Sequence, residues 1–253
     1  MDKENAGVLL SRQGVIPWLL IVGLLACHRE PPRMRVFPSR MLWAWESPQD
    51  LRFLKQGEGV AFLSGEIHLE GEVARWQPRR NPLRMNPSTP LMAVIRVETH
   101  AAILNDQQGR DLIQRSLQCL SLPGVMGLQI DFDATQHERA WYARVLRDLR
   151  AALPDHIPLS ITALGSWCWD DPWIANLPVD EAVPMLFRMS ANEQVIRRRL
   201  SQRRDVKVQL ARHCWGVSTD EPLPKLRGGR RIYVFHPGPW TEAAWSRIRG
   251  SFP

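Results

Sequence analysis

Short apolar runs recur along the chain, and most are followed by stretches with helical spacing. MLWAWE (41–46), PLMAVIRVE (90–98), VMGLQIDFD (125–133), IPLSITALGSWC (157–168), EAVPMLFRM (181–189), VKVQLA (206–211) and RIYVFH (231–236) have strand length and are rich in Val, Ile and Leu. GVAFLSGEIHLEGEVARW (59–76) alternates apolar with polar positions and reads as a β-hairpin. Helical patterns fall near 106–121, 137–153 and 191–204, and a last helix starts from Thr241. In HERAWYARVLRDLRAAL, Trp141, Val145, Leu146, Leu149 and Leu153 recur on one helical face. SPQDLRFL (47–54) reads as a further helix, with Ser47 as N-cap and Pro48 at its first position.

Near-continuous apolar strands covered by helices belong to parallel sheets. Counting the hairpin as one unit, eight β units fit an α/β fold, a compact (β/α)8 TIM-like barrel whose second unit is replaced by a β-hairpin. An open doubly wound sheet is the alternative, but no Gly-rich phosphate loop follows the first strand. No internal repeat or second domain is visible.

Ahead of the first strand lies VIPWLLIVGLLA (15–26), twelve apolar residues behind a segment carrying Lys3 and Arg12. A membrane span needs about 20, so the run reads as the h-region of a signal peptide. It ends in Leu24-Leu25-Ala26-Cys27, which resembles a bacterial lipobox, with Cys27 as the residue that would be lipidated. Ordinary secretion and an uncleaved anchor stay open. The expected organisation is 1–26 signal peptide, 27–39 extended tether with Pro31, Pro32 and Pro38, and 40–253 a single barrel. That places the protein lipid-anchored on the periplasmic side of a bacterial membrane.

Composition sharpens two points. At 253 residues, with 44% hydrophobic and 23% charged residues, the chain is neither disordered nor a polytopic membrane protein. Its formal charge of +7 comes almost wholly from arginine, since only Lys3, Lys55, Lys207 and Lys225 are lysines. Such a surface suits nucleic acid or an anionic membrane, and export argues against nucleic acid. In an oxidising compartment Cys168 and Cys214, both at strand ends, are a plausible disulfide, and Cys119 reads as a buried free thiol. No spacing of Cys and His suggests a metal site, and no cofactor is expected.

The 11 tryptophans against only 2 tyrosines carry the functional signal. In a (β/α)8 barrel the active site lies where the strands end. Trp43, Trp45, Trp167, Trp169, Trp215 and Trp240 fall there, with Arg188 and His236, and form the candidate substrate-binding set. Flat indoles pack well on sugar rings, and paired carboxylates are what glycoside hydrolysis requires. Glu46, Glu98, Asp131 and Asp133 are the candidate acids. Each has a plainer alternative: the indoles can plug the barrel mouth, the acids can cap helices or pair with arginine, and the histidines can be hydrogen-bonded packing residues.

WAWE (43–46), GVAFL (59–63), QIDFDA (129–134), ITALGSWC (161–168), LPVDEAVPMLFRM (177–189) and GVSTDEP (216–222) together resemble a bacterial domain-of-unknown-function family of exported proteins. Members of that family look like distant relatives of the chitinase-like barrel glycosidases. The chitinase-like group carries D-x-D-x-E at the end of strand four, with the final Glu as acid. Here the stretch is Asp131-Phe132-Asp133-Ala134-Thr135, so the place of the acid is held by Thr135. The family has no assigned activity to carry over, and with Thr135 in that place the chitinase mechanism does not transfer. The leading expectation is a glycosidase-like barrel acting on an envelope polysaccharide; for a hydrolase, Asp133 is the best candidate for one catalytic carboxylate, with Glu46 or Glu98 as its partner. A carbohydrate-binding or envelope-assembly protein that has lost its acid is the alternative.

Overall fold

The apolar runs close into a ring. A computed structural model, which describes residues 30–252, places eight parallel strands edge to edge until the last meets the first. They are β1 (Arg40–Ala44), β3 (Glu58–Gly71), β6 (Leu91–Ala102), β7 (Val125–Asp131), β8 (Leu159–Leu164), β9 (Glu181–Met185), β10 (Cys214–Ser218) and β11 (Arg231–Phe235). Closure occurs at β1, where Met41 pairs with Tyr233 on one side and Gly59 on the other. The expected hairpin forms: β4 (Val73–Pro78) runs antiparallel to β3 and lies outside the ring. A small parallel pair, β2 (Gln49–Asp50) with β5 (Leu83–Arg84), completes the strands.

Helices α1 (Asp106–Leu120), α2 (Arg139–Ala152), α3 (Gly165–Trp169), α4 (Glu193–Ser201) and α5 (Glu242–Arg249) follow β6, β7, β8, β9 and β11. The Asn105 side chain caps α1 through the Gln108 amide, and the Gln108 side chain answers to the Asn105 amide. On α2 the face read from the sequence, Trp141, Val145, Leu146 and Leu149, is buried together with Tyr142. The last helix starts where expected, with the Thr241 hydroxyl accepting from the Ala244 amide at 3.1 Å.

Four expectations are corrected. Residues 47–54 form no helix: Gln49 and Asp50 pair with Leu83 and Arg84, and Leu51 and Leu54 are buried by the turn that follows. The seventh ring strand is Cys214–Ser218, not 206–211, which bends through a short 3-10 turn at Gln209–Ala211. The fifth strand ends at Leu164, and Gly165–Trp169 turns back as α3. Residues 30–39 are packed rather than an extended tether. Met34 and Phe37 are buried at the strand-start end of the barrel, and Arg231 donates to the Met34, Phe37 and Pro38 carbonyls. The signal segment and Cys27 lie outside the described residues.

Strand alternation divides the interior from the shell. Met41, Trp43, Ala61, Met92, Val94, Val183, Cys214 and Tyr233 fill the ring with Met34 and Phe37, and the helices pack on the other face of the strands. Gly216 makes room for the largest of these residues, since a Cβ there would lie 2.9 Å from the Trp43 ring. Lower in the ring, Glu181 accepts from Arg231 at 2.8 Å and from the Tyr233 hydroxyl at 2.7 Å. The cysteines divide in the same way: Cys214 belongs to the interior and Cys168 to the outer core. They lie on different sides of the strand wall as free thiols, so the expected disulfide does not form, whereas Cys119 is the buried free thiol anticipated.

Two strands are far longer than the rest. Past Arg96, β6 pairs only with β3, from Ile67↔Val97 to Gly71↔Ala102, so β3, β4 and β6 rise as a wall beside the mouth. One face, with Ile67, Leu69 and Val97, is buried. The other continues the line of Arg96 and carries Glu66, His68, Glu98 and His100, with the two imidazoles stacked at 6.0 Å.

Candidate active site

At the ends of the strands the last inward residues surround a cavity of about 280 Å³. Its walls are Trp43, Trp45, Phe187 and Phe235, and its polar lining is Arg96, Gln129, Asp131 and Thr162. The aromatic side is tied together by contacts between rings. Trp43 stacks on Tyr233 at 5.3 Å, Phe187 on Phe235 at 5.6 Å, and Trp45 meets Phe235 edge-on at 6.1 Å. The Trp43 indole donates to Gln129 Oε1 at 2.8 Å, and Gln129 donates to Ser160 Oγ at 3.1 Å, which fixes both side chains.

Asp131 is buried and fully engaged. It accepts from the Arg96 guanidinium at 2.8 Å and from Thr162 Oγ1 at 2.6 Å. The same guanidinium binds Glu98, at 5.8 Å from the Trp45 ring centre. Asp133 lies just past β7, exposed at the rim, and lines a second cavity of about 370 Å³ with Arg96, Ser166, Arg188 and Asn192. The two cavities share Arg96, Met185, Phe187 and Arg188. Although Asp133 keeps an exposed surface, the groups packed around it partly desolvate its carboxyl, and the charges of Asp131 and Glu98 add to the effect. Against the pull of Arg96, its carboxyl is raised to about 6.

Arg188 arches over the join. Its backbone takes a left-handed φ of 51°, held by a bond from its amide to Glu221 Oε1 at 2.8 Å. Its guanidinium lies 5.1 Å from the Phe235 ring centre and 3.6 Å from Asp220. The acids of the GVSTDEP turn thus position Arg188.

Of the sequence-predicted site residues, Asp131, Asp133, Glu98, Trp43, Trp45 and Arg188 meet at this mouth. The others do not. Glu46 accepts from the Arg80 and Asn81 amides and the Asn81 side chain, and so fixes a loop. Burial alone would raise its carboxyl, but these bonds outweigh that and hold it below its ordinary range. Trp167 packs edge-on against Trp173 at 5.0 Å, and Trp169 donates to the Asp205 carbonyl. Trp215 faces outward from β10 under Arg230. Trp240 is buried with its indole on the Trp43 carbonyl, and stacks obliquely on His236, which shares a hydrogen bond with Thr219. These four indoles are packing residues, the plainer of the two readings. Gln129, Thr162 and Phe235 were missed, although they occupy the inward alternate positions of their strands. Phe187 sits past the end of β9, where alternation gives no signal.

A closed parallel barrel with aromatic walls and acids at its strand-end mouth defines the class, an α/β barrel with a cleft where its strands end. Residues 87–194 match a family model described as a domain of unknown function, DUF3142. QIDFDA, ITALGSWC and LPVDEAVPMLFRM fall inside that match; WAWE, GVAFL and GVSTDEP fall outside it. No curated protein matches the chain. Among solved structures, the Bacillus cereus spore cortex-lytic enzyme SleL matches at 16% identity and a TM-score of 0.44, over 71% of this chain and 50% of that enzyme. The chain therefore spans half the length of that enzyme.

Proposed function

We propose that the mouth binds a carbohydrate, one sugar ring seated among Trp43, Trp45, Phe187 and Phe235, and that the protein hydrolyses a polysaccharide of the cell envelope. The observation that carries this reading is the 280 Å³ aromatic cavity set beside two carboxyls in different states. Asp131 is ion-paired, while Asp133, raised to about 6, keeps its proton under mildly acidic conditions in which an ordinary Asp has lost it. In the proposed reaction Asp133 protonates the glycosidic oxygen as its bond to the anomeric carbon breaks. Asp131, held by Arg96 and Thr162, stabilises the positive charge that develops there. Water adds to that carbon and yields its proton to the Asp131 carboxylate. In this reading the apolar run at 15–26 exports the chain and Cys27 carries a lipid, which keeps the protein on the periplasmic side of a membrane.

The second reading is a barrel that binds glycan without cleaving it. Thr135 favours it: at the place of the chitinase acid, its hydroxyl and amide are both bonded to Glu138 at 2.7 Å. The test is release of reducing ends from a panel of envelope and exopolysaccharide glycans, with binding measured in parallel. Hydrolysis by the wild type that is lost in Asp133→Asn while binding persists supports the enzyme. Binding without turnover selects the second reading. No binding to any glycan overturns both.

A further inference from the structure

We propose that the face of the barrel where the strands begin docks on an anionic lipid bilayer. Arg35, Arg203 and Arg204 are exposed on segments that lead to this end, and Lys207 is exposed on the flank beside Cys168 and Asp170. They make no ion pair among the described residues. Contacts bring them to one side. Arg33 reaches Asp180, at the start of β9, and Arg227, from the loop before β11, donates to the Arg203 carbonyl. A recess of about 560 Å³ opens there between Arg212, Arg227, Arg230 and Arg231; Asp205 pairs with Arg227 and Arg230, and Glu30 and Glu181 pair with Arg231, which leaves an excess of one cation. It has the charge to receive a phosphate-bearing headgroup.

Apolar residues are also exposed at this end. Val36 is 41% exposed, beside the buried Phe37, which packs on Gly127; Leu122 is 43% and Met126 38% exposed at the start of β7. Exposed aliphatic side chains within a cationic rim fit an interfacial lipid surface better than a nucleic-acid backbone, which offers them nothing to bury against. The position of the chain start points the same way. The apolar run ends at Ala26, four residues and at most about 14 Å from Glu30. Any anchor on that run or on Cys27 therefore attaches at this face. The cavity opens at the opposite end of the barrel, where the strands end. Docking thus turns the cavity away from the bilayer.

The test uses residues 27–253 with Cys27→Ser, which contain every strand pairing of the ring and carry no lipid. Co-sedimentation is measured with phosphatidylcholine vesicles, with and without phosphatidylglycerol. Anionic vesicles are expected to retain the protein at least about tenfold better, with the difference lost at high salt. The combined Arg203→Glu, Arg204→Glu and Lys207→Glu variant is expected to lose that retention. A control with the same net charge, Arg110→Glu, Arg144→Glu and Arg147→Glu on α1 and α2, is expected to keep it. Equal loss in both variants, no preference for anionic vesicles, or tighter binding to duplex DNA than to vesicles overturns the proposal. Glycan binding by the first variant, expected to be unchanged, separates this result from the reading of the mouth.

Discussion

Arg96 reaches from β6 to Asp131 on β7 at 2.8 Å, and the two are also register partners in the sheet. One guanidinium therefore faces three acids of the mouth, since it also holds Glu98 and acts on Asp133. Arg96→Gln is expected to leave Asp131 buried without its cation, at a cost of about 2 kcal/mol for a pair still partly open to water. Urea unfolding measures this cost. The same variant removes the one charge that lowers Asp133, so its carboxyl should titrate above about 6, as carbon-detected NMR would show.

The proton on Asp133 also gives stability a pH dependence. Its folded carboxyl, raised to about 6, lies above the unfolded value of about 4. Between those values the folded state binds the proton more tightly, so stability falls as pH rises from about 4 to 6 and stays lower above. Asp133→Asn is expected to flatten this part of the profile and to raise Tm at pH 7 relative to the wild type. Thermal melts of both proteins across that range decide it; parallel curves would place the Asp133 carboxyl at its ordinary value.

Gly216 sets how Trp43 lies in the ring. A methyl at Gly216 would meet the Trp43 ring at 2.9 Å and Val183 at 3.1 Å. Gly216→Ala is expected to cost about 1–3 kcal/mol by overpacking and to change the near-ultraviolet dichroism of the indole. Glycan affinity should fall with it, because the same indole walls the cavity.

Deeper in the barrel, Arg231 joins Glu181 to the segment at 30–38. Arg231→Met is expected to destabilise the fold by about 3–5 kcal/mol, because Glu181 is left buried without its cation. Loss of the bonds to the Met34, Phe37 and Pro38 carbonyls should also open trypsin cleavage at Arg33 and Arg35. Adding Glu181→Gln should recover part of the stability but leave the cleavage.

The ring was legible in the sequence because period and strand length carry it: seven of the eight strands fall on apolar runs that could be read directly. The missed strand shows the limit. VKVQLA has strand composition, yet Cys214–Ser218 closes the ring, because pairing with Glu181–Met185 and Arg231–Phe235 decides the register and composition does not. The site was legible in part for a related reason. Asp131 and Trp43 could be placed because alternation fixes which residues of a strand face inward. Trp167 and Trp169 could not, since the strand ends at Leu164 and the chain turns into the helix Gly165–Trp169, which carries both indoles into the outer core. Glu46 was misread because the loop that satisfies it lies more than thirty residues away in sequence.

The unequal strands also shape the approach to the mouth. β6 continues from Val97 to Ala102, about 20 Å at strand rise, on one flank only. That flank is a parapet, and the opposite lip, at Phe187 and Phe235, stays low. On the proposed reading, a polysaccharide lies along the parapet with both ends free. Engagement in mid-chain, rather than at a terminus, is then the expectation set by two strands having outgrown their neighbours.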